Sequence, residues 1–207
     1  MFGTMSSMST SKDAARKSRK KKKVTRRARD YVLPKEMDRV LKAAIGTGRH
    51  GHRNYTMILM CYRHALRVGE LVELRWRDVD FKRKELRVTR LPIGINTVQP
   101  LGKSELLALR KLKREYSSKS YLFVTDRGRK VSVRDGRRIV ARAGREARLK
   151  YNLHPQMLRH GCGHALAQAG HDIASIQHYL GHRNIRHTLR YMAGTMPQPP
   201  FKSFWRN

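Results

Sequence analysis

Acidic residues are scarce in this chain. Fifteen Asp and Glu face 47 Lys and Arg over 207 residues, for a formal net charge of +32. A single folded body with that imbalance repels itself and is relieved against a polyanion, nucleic acid well ahead of an acidic membrane. Long apolar runs are also missing. Met57-Ile58-Leu59-Met60-Cys61 is among the longest, far short of the roughly 20 residues of a membrane span. The first residues carry no apolar core, so no secretory signal is expected. Cys61 and Cys162 are the only cysteines. That excludes a disulfide scaffold and points to a reducing cytoplasm, with the protein associated with the nucleoid.

The charge is not confined to one tail. Residues 1–30 hold 11 Lys and Arg against 2 Asp, a net of +9, which leaves +23 on the other 177 residues. The run Lys20-Lys21-Lys22-Lys23 has nothing to bury, so residues 1–30 read as a disordered basic arm that adds phosphate contacts. Charge alone fits a ribosomal protein or a nucleic-acid packager equally well.

Along the body, helical periodicity dominates. Pro34 opens a helix with Met37, Val40, Leu41 and Ala44 on one side, ended by Gly46-Thr47-Gly48. A second runs from about Arg53 to His64, and a short third from Gly69 to Leu74. Val79-Asp80-Phe81 and Leu86-Arg87-Val88 flank a polar turn and predict a hairpin. Thr97 to Leu101 predicts a third strand, Lys103 to Glu115 a helix, and Tyr121 to Val124 a short strand or extended segment. Ser132 caps a helix reaching about Leu149. Further helices fall at about Gln156–Ala169, Ile173–Leu180 and Ile185–Tyr191. The fold class is α+β, mainly α-helical, with one small sheet.

Two groups of side chains stand out. Arg134, Arg138, Arg142 and Arg145 recur at steps of 4, 4 and 3, a stripe able to follow DNA phosphates. The second group gathers Arg67 with Glu70, His154 through Arg159 to His160, Leu180-Gly181-His182, and Tyr191. Pro155 suits the first helical position and puts His154 at the N-cap. Arg159, about one turn in, can grip two phosphate oxygens, and histidine exchanges protons near neutral pH. A metal is not expected. His160, Cys162 and His164 lie about 200° apart pairwise on a helix, on alternating sides, and cannot easily share one ion.

The order Arg67, His154-x-x-x-x-Arg159, Leu180-Gly181-His182, Tyr191 resembles the tyrosine recombinase/integrase family. The stretches His154–Gly163 and Tyr179–Thr188 look especially like the fimbrial phase-variation invertases, which consist of little more than a catalytic domain. The resemblance covers roughly residues 33–195 and implies a tyrosine recombinase catalytic domain over 31–195, with a small antiparallel sheet. It implies a site-specific DNA recombinase, acting by inversion or integration, that needs no cofactor. Tyr191 would attack a scissile phosphate and form a 3′-phosphotyrosyl link. Arg67 and Arg159 would clamp the nonbridging oxygens, His154 would accept a proton, His182 would donate a hydrogen bond, and Glu70 would orient the site. The partners implied are double-stranded DNA, further copies of the chain in a tetramer, and a DNA-bending accessory protein. Residues 196–207, with Phe201, Phe204 and Trp205 beyond a proline break, would form a tail that docks on a neighbouring subunit.

One position departs from the family pattern. The family keeps a lysine on the turn after the second strand, where it protonates the leaving 5′-oxygen. Here the stretch Thr89-Arg90-Leu91-Pro92-Ile93-Gly94-Ile95-Asn96-Thr97 has Pro92 and Ile93 at that place. Arg90 is a poor acid because a guanidinium holds its proton, and Lys103 reaches the site only if the hairpin folds differently. The alternative reading is therefore a catalytically impaired, recombinase-derived protein that binds DNA sequence-specifically.

Overall fold

The computed structural model describes residues 29–46, 48–116 and 120–192. Lys20 to Lys23 and most of the expected arm lie outside them, as does the tail with Phe201, Phe204 and Trp205. Eight helices and one sheet make up the described chain: α1 Pro34–Ile45, α2 Gly51–Arg63, α3 Val68–Glu73, β1 Val79–Asp80, β2 Glu85–Val88, β3 Thr97–Pro100, α4 Lys103–Glu115, α5 Val133–Glu146, α6 Pro155–Gln168, α7 Ile173–Leu180 and α8 Arg186–Met192.

Helix α2 is the hub. Its second half carries the apolar run Met57 to Cys61, all buried, and polar Arg53, Asn54 and Thr56 in its first half are buried as well. It packs against α1, α4 and α6, and more lightly against α3 and α5. A run of five consecutive buried apolar residues covers every side of a helix, which suits the middle of a bundle. Helix α1 closes one flank through Met37, Val40 and Ala44. Pro34 starts it, and the Glu36 carboxylate accepts the Leu33 N–H at 2.9 Å, which satisfies one of the donors left open at a helix start. Helix α4 covers another flank with Leu106, Leu109 and Leu112. These side chains join one continuous core with Leu122, Phe123, Val140 and Leu158.

The three strands form an antiparallel sheet in the order β1-β2-β3, with Val79 opposite Leu86 and Val88 opposite Thr97. Asp80 Oδ1 accepts the N–H groups of Lys82 and Arg83 and so tightens the first turn. Tyr121–Val124 is extended and buried but pairs only through isolated bridges, Arg75 to Tyr121 and Val124 to Lys130. Its neighbours are loops, so no ladder can build.

Helix α5 divides as its sequence requires. Ser132 accepts the Asp135 N–H at 3.0 Å, and Val140 and Ala143 face the core. Arg134, Arg138, Arg142 and Arg145 all remain exposed. Arg138 and Arg142 have only loose acidic neighbours, Asp135 at 3.8 Å and Glu146 at 3.9 Å. Helices α6, α7 and α8 enclose a smaller second cluster of Ala65, Cys162, Ala167, Ile176, Leu180 and Tyr191.

Leu109 is fully buried, whereas Leu189 is 45% exposed. Leu109→Ala is expected to cost about 2–5 kcal/mol of folding stability, and Leu189→Ala about 0.5 kcal/mol or less. Urea unfolding midpoints of the two variants check this contrast.

Candidate active site

The site forms where two helices end. Helices α2 and α7 bring their C-termini together, and each C-terminus leaves carbonyls without a partner inside the helix. Two buried arginines fill that need. Arg90 donates to the carbonyls of His64 and Ala65 beyond α2 and of Tyr179 in α7, at 3.2, 3.1 and 2.8 Å. Arg159 donates to Ala65 and to Leu180, the latter at 2.6 Å. Cations at helix C-termini also suit the helix dipole.

Glu70 balances part of this charge. One carboxylate oxygen accepts from Arg90 at 2.9 Å and from the Arg67 N–H at 2.8 Å. The other accepts from the Arg67 guanidinium at 2.8 Å and the Leu91 N–H at 3.3 Å. Three guanidinium groups thus stand around one carboxylate, a surplus suited to an anion. Burial, together with Arg90 and Arg67, pushes the Arg159 guanidinium down to about 10, which leaves it charged at neutral pH.

Arg90 passes through a narrow place. A Cβ on Gly94 would sit 2.5 Å from the Arg90 Cβ, and one on Gly181 would sit 2.7 Å from its Cγ. Gly181 also has a positive φ of 66°, where a helix ends in the left-handed conformation. The Leu-Gly-His stretch therefore both stops α7 and leaves room for the arginine.

Tyr191 packs in the second cluster with Ala65, Cys162 and Leu180. It is 1% exposed, and its hydroxyl shares a 2.8 Å hydrogen bond with His160 Nδ1. Its ring meets the edge of His164 at 5.2 Å and lies parallel to His182 at 6.4 Å between centroids. Beneath it is Gly163, where a Cβ would come within 2.8 Å of the ring. Burial raises the phenol's proton affinity, partly offset by Arg159 and Arg190. His182 Nδ1 bonds Thr188 Oγ1 at 2.9 Å, tying the Leu-Gly-His stretch to α8.

His154 stands apart from Tyr191's immediate partners. It caps α6 by position without a side-chain cap bond. It is exposed and lines a cleft of about 940 Å³ with Arg67, Glu70, Leu91, Pro92 and Gln156. Lys103 is exposed at the first turn of α4 and does not line this cleft. Of the residues expected from sequence, Arg67 and Glu70 form an ion pair at 2.8 Å, while Arg159 bonds the Ala65 and Leu180 carbonyls and His182 bonds Thr188; His160 and Arg90 were given too little. A signal for Arg90 was present: alternation puts it on the inward face with Leu86 and Val88. His160 follows Gln156 by four residues and so shares its face.

Three buried histidines are neutral at pH 7. Burial pushes His64 and His160 down to about 4 and His182 to about 3. Their folded-state proton affinity is below the unfolded value near 6.5, so the folded chain binds fewer protons than the unfolded one between those limits. Stability is expected to be full above about pH 6.5 and to fall as the pH drops toward about 4, where His64 charges. Melting temperatures across pH 7.5 to 4.5 check this, and His64→Gln should flatten the decline.

Comparison with known proteins bears on this arrangement. The type 1 fimbriae regulatory protein FimE of Escherichia coli (strain K12) is 38% identical over 183 residues, covering 86% of this chain and 91% of FimE. The crystal structure of XerA recombinase superimposes with a TM-score of 0.68 at 25% identity, covering 78% of this chain and 57% of XerA. The Tn1549 transposon integrase in complex with transposon right end DNA gives a TM-score of 0.68 at 20% identity, covering 80% of this chain and 62% of the integrase. This chain thus spans somewhat over half the length of those two solved recombinases. Residues 30–197 match the phage integrase family, and with arginines, histidine and tyrosine gathered at the ends of α2 and α7, the chain belongs to that family.

Proposed function

We propose that Tyr191 is the nucleophile with which this tyrosine-type site-specific DNA recombinase cuts and rejoins its substrate. The observation that carries the reading is a convergence. Arg67, Arg159, His182 and Tyr191, spread over 125 positions of sequence, meet around the paired C-termini of α2 and α7. Arg159 and Arg67 supply positive charge where a phosphodiester gains negative charge during attack. Tyr191 attacks phosphorus, the bond to the 5′-oxygen breaks, and a 3′-phosphotyrosyl ester remains. A 5′-hydroxyl from another strand reverses the step. One phosphodiester replaces another, so the chemistry consumes no high-energy cofactor. His182, neutral and fixed by Thr188, is suited to donate a hydrogen bond to the phosphate.

The described conformation is a resting one. A phenol that is 1% exposed cannot touch a DNA phosphate, so α8 must shift before attack. Side-chain contacts that tie α8 to the body include Thr188 to His182, Tyr191 to His160, and Arg190 to Asp30. DNA would approach across the exposed arginines of α5, with the 1–30 arm adding phosphate contacts. Domain limits of 1–30, 31–195 and 196–207, a tetramer on DNA in the cytoplasm, and inversion of a DNA segment aided by a DNA-bending protein complete the proposal. The intact cluster favours an enzyme over a purely DNA-binding descendant.

A nicked suicide duplex tests this, because the freed strand diffuses away and traps the covalent adduct. The wild-type chain is expected to form the adduct, Tyr191→Phe none, and Arg159→Ala about 100-fold less per unit time. Absence of adduct from the wild type on its own site would reject the catalytic reading. For the α5 stripe, Arg138→Ala and Arg142→Ala should each weaken binding across all sequences and lower the salt slope by about 1. Binding titrations at several salt concentrations measure this.

A further inference from the structure

Attack by Tyr191 requires α8 to leave its place against the body, so whatever fastens α8 sets how readily the tyrosine is released. Residues Arg29 to Val32 touch both α6 and α8. We propose that Asp30 and Tyr31 are positioning residues, a strap that holds α8 and Tyr191 in the resting place until DNA binds. The proposal rests on the reading of Tyr191 as nucleophile.

The strap is seated on α6. The Val32 N–H donates to the Met157 carbonyl at 3.4 Å, and the Val32 side chain is buried. A Cβ on Gly161 would come within 2.8 Å of the Val32 side chain and of its carbonyl oxygen. A Cβ on Gly163 would come equally close to the Tyr191 ring. Gly161 and Gly163 thus make room on one helix for the strap and for the tyrosine. At the start of the strap, Arg29 donates to the Tyr31 carbonyl at 2.9 Å. Its guanidinium carbon lies 5.4 Å from the Tyr31 ring centroid, which fixes the aromatic side chain as well as the backbone.

From this seat two side chains reach the tyrosine's surroundings. Asp30 pairs with Arg190, the residue before Tyr191. Tyr31 packs on His164 with ring centroids 3.8 Å apart, and His164 meets the Tyr191 ring edge-on at 5.2 Å. Asp30 therefore holds the backbone of α8 through its neighbour, and Tyr31 holds the histidine against which the phenol rests.

The ion pair is placed where DNA can break it. Its side chains are about half exposed, Asp30 by 51% and Arg190 by 47%. An ion pair in the open is weak and readily exchanged. Phosphates arriving at the site attract Arg190 and repel Asp30. Substrate binding itself thus loosens the strap, and the tyrosine is freed on a chain that already holds DNA. A strap that instead aimed Tyr191 for attack would slow the reaction when cut, so the sign of the effect decides between the two roles.

The test uses the full chain as wild type, Asp30→Asn, Tyr31→Leu and the double variant. Adduct formation on the nicked suicide duplex is followed in single turnovers at saturating DNA, alongside DNA affinity and melting temperature. Hydrogen exchange of the α8 and α2 amides is followed without DNA, a readout independent of chemistry. We expect each single variant to form the adduct about 2- to 5-fold faster, in keeping with the modest strength of an exposed ion pair or one ring contact. The double variant should gain about the product of the two. The α8 amides should exchange faster by a similar factor while those of α2 are unchanged. An adduct rate that is unchanged or lower, or exchange that rises equally in α2 with a fall in melting temperature, overturns the strap. No adduct from the wild type, or an adduct from Tyr191→Phe, defeats the nucleophile reading itself. A normal wild-type adduct with no gain in the variants defeats the strap alone.

Discussion

Everything in the site depends on two buried guanidinium groups answering the open carbonyls at the ends of α2 and α7. Buried carbonyls without donors cost free energy, and buried arginines without acceptors cost more. Put together they satisfy one another, and Glu70 removes part of the excess charge. What is left is a rigid positive surface whose geometry comes from the helix ends rather than from flexible side chains. Pre-set charge of that kind favours a transition state, because little must reorganise when the phosphate gains charge.

The proposed nucleophile is held differently. Helix α8 has two residue positions, Thr188 and Tyr191, buried against the body. The arginine cluster is fixed by several buried hydrogen bonds to helix ends, whereas α8 is held by packing on α6 and α7 and by side-chain bonds to His160 and His182. On the proposed reading, this division would let DNA bind to a finished receptor while the reactive group arrives afterwards. Helix α5 lies on α1 and α3, away from this movable end, so a grip on DNA there need not disturb the tyrosine.

Much of this was legible in the sequence. The amphipathic faces of α1, α4 and α5 fixed their buried sides, and the spacing from Arg67 through Tyr191 marked the site. Other features were not, for physical reasons. Tyr121–Val124 has the composition of a strand but meets only loops, and composition does not reveal its neighbours. Arg90 entered the sequence reading only as a poor acid beside the missing lysine, because a guanidinium holds its proton. It turns inward because two helix ends, distant in sequence, offer it carbonyls. The pairing of Tyr191 with His160 depends on how α8 folds back on α6, and no local pattern encodes that return.

The threading of Arg90 between Gly94 and Gly181 ties three positions into one heritable unit. A methyl group at either glycine would collide with the arginine's side-chain stem. Loss of the arginine would strand the carbonyls it serves, while a Cβ on Gly181 would still meet the Ile95 carbonyl oxygen at 2.7 Å. Single substitutions at these sites therefore lead into a valley, and lineages should keep all three residues or exchange them jointly. The Leu-Gly-His stretch would then persist through time partly for the sake of an arginine ninety residues upstream.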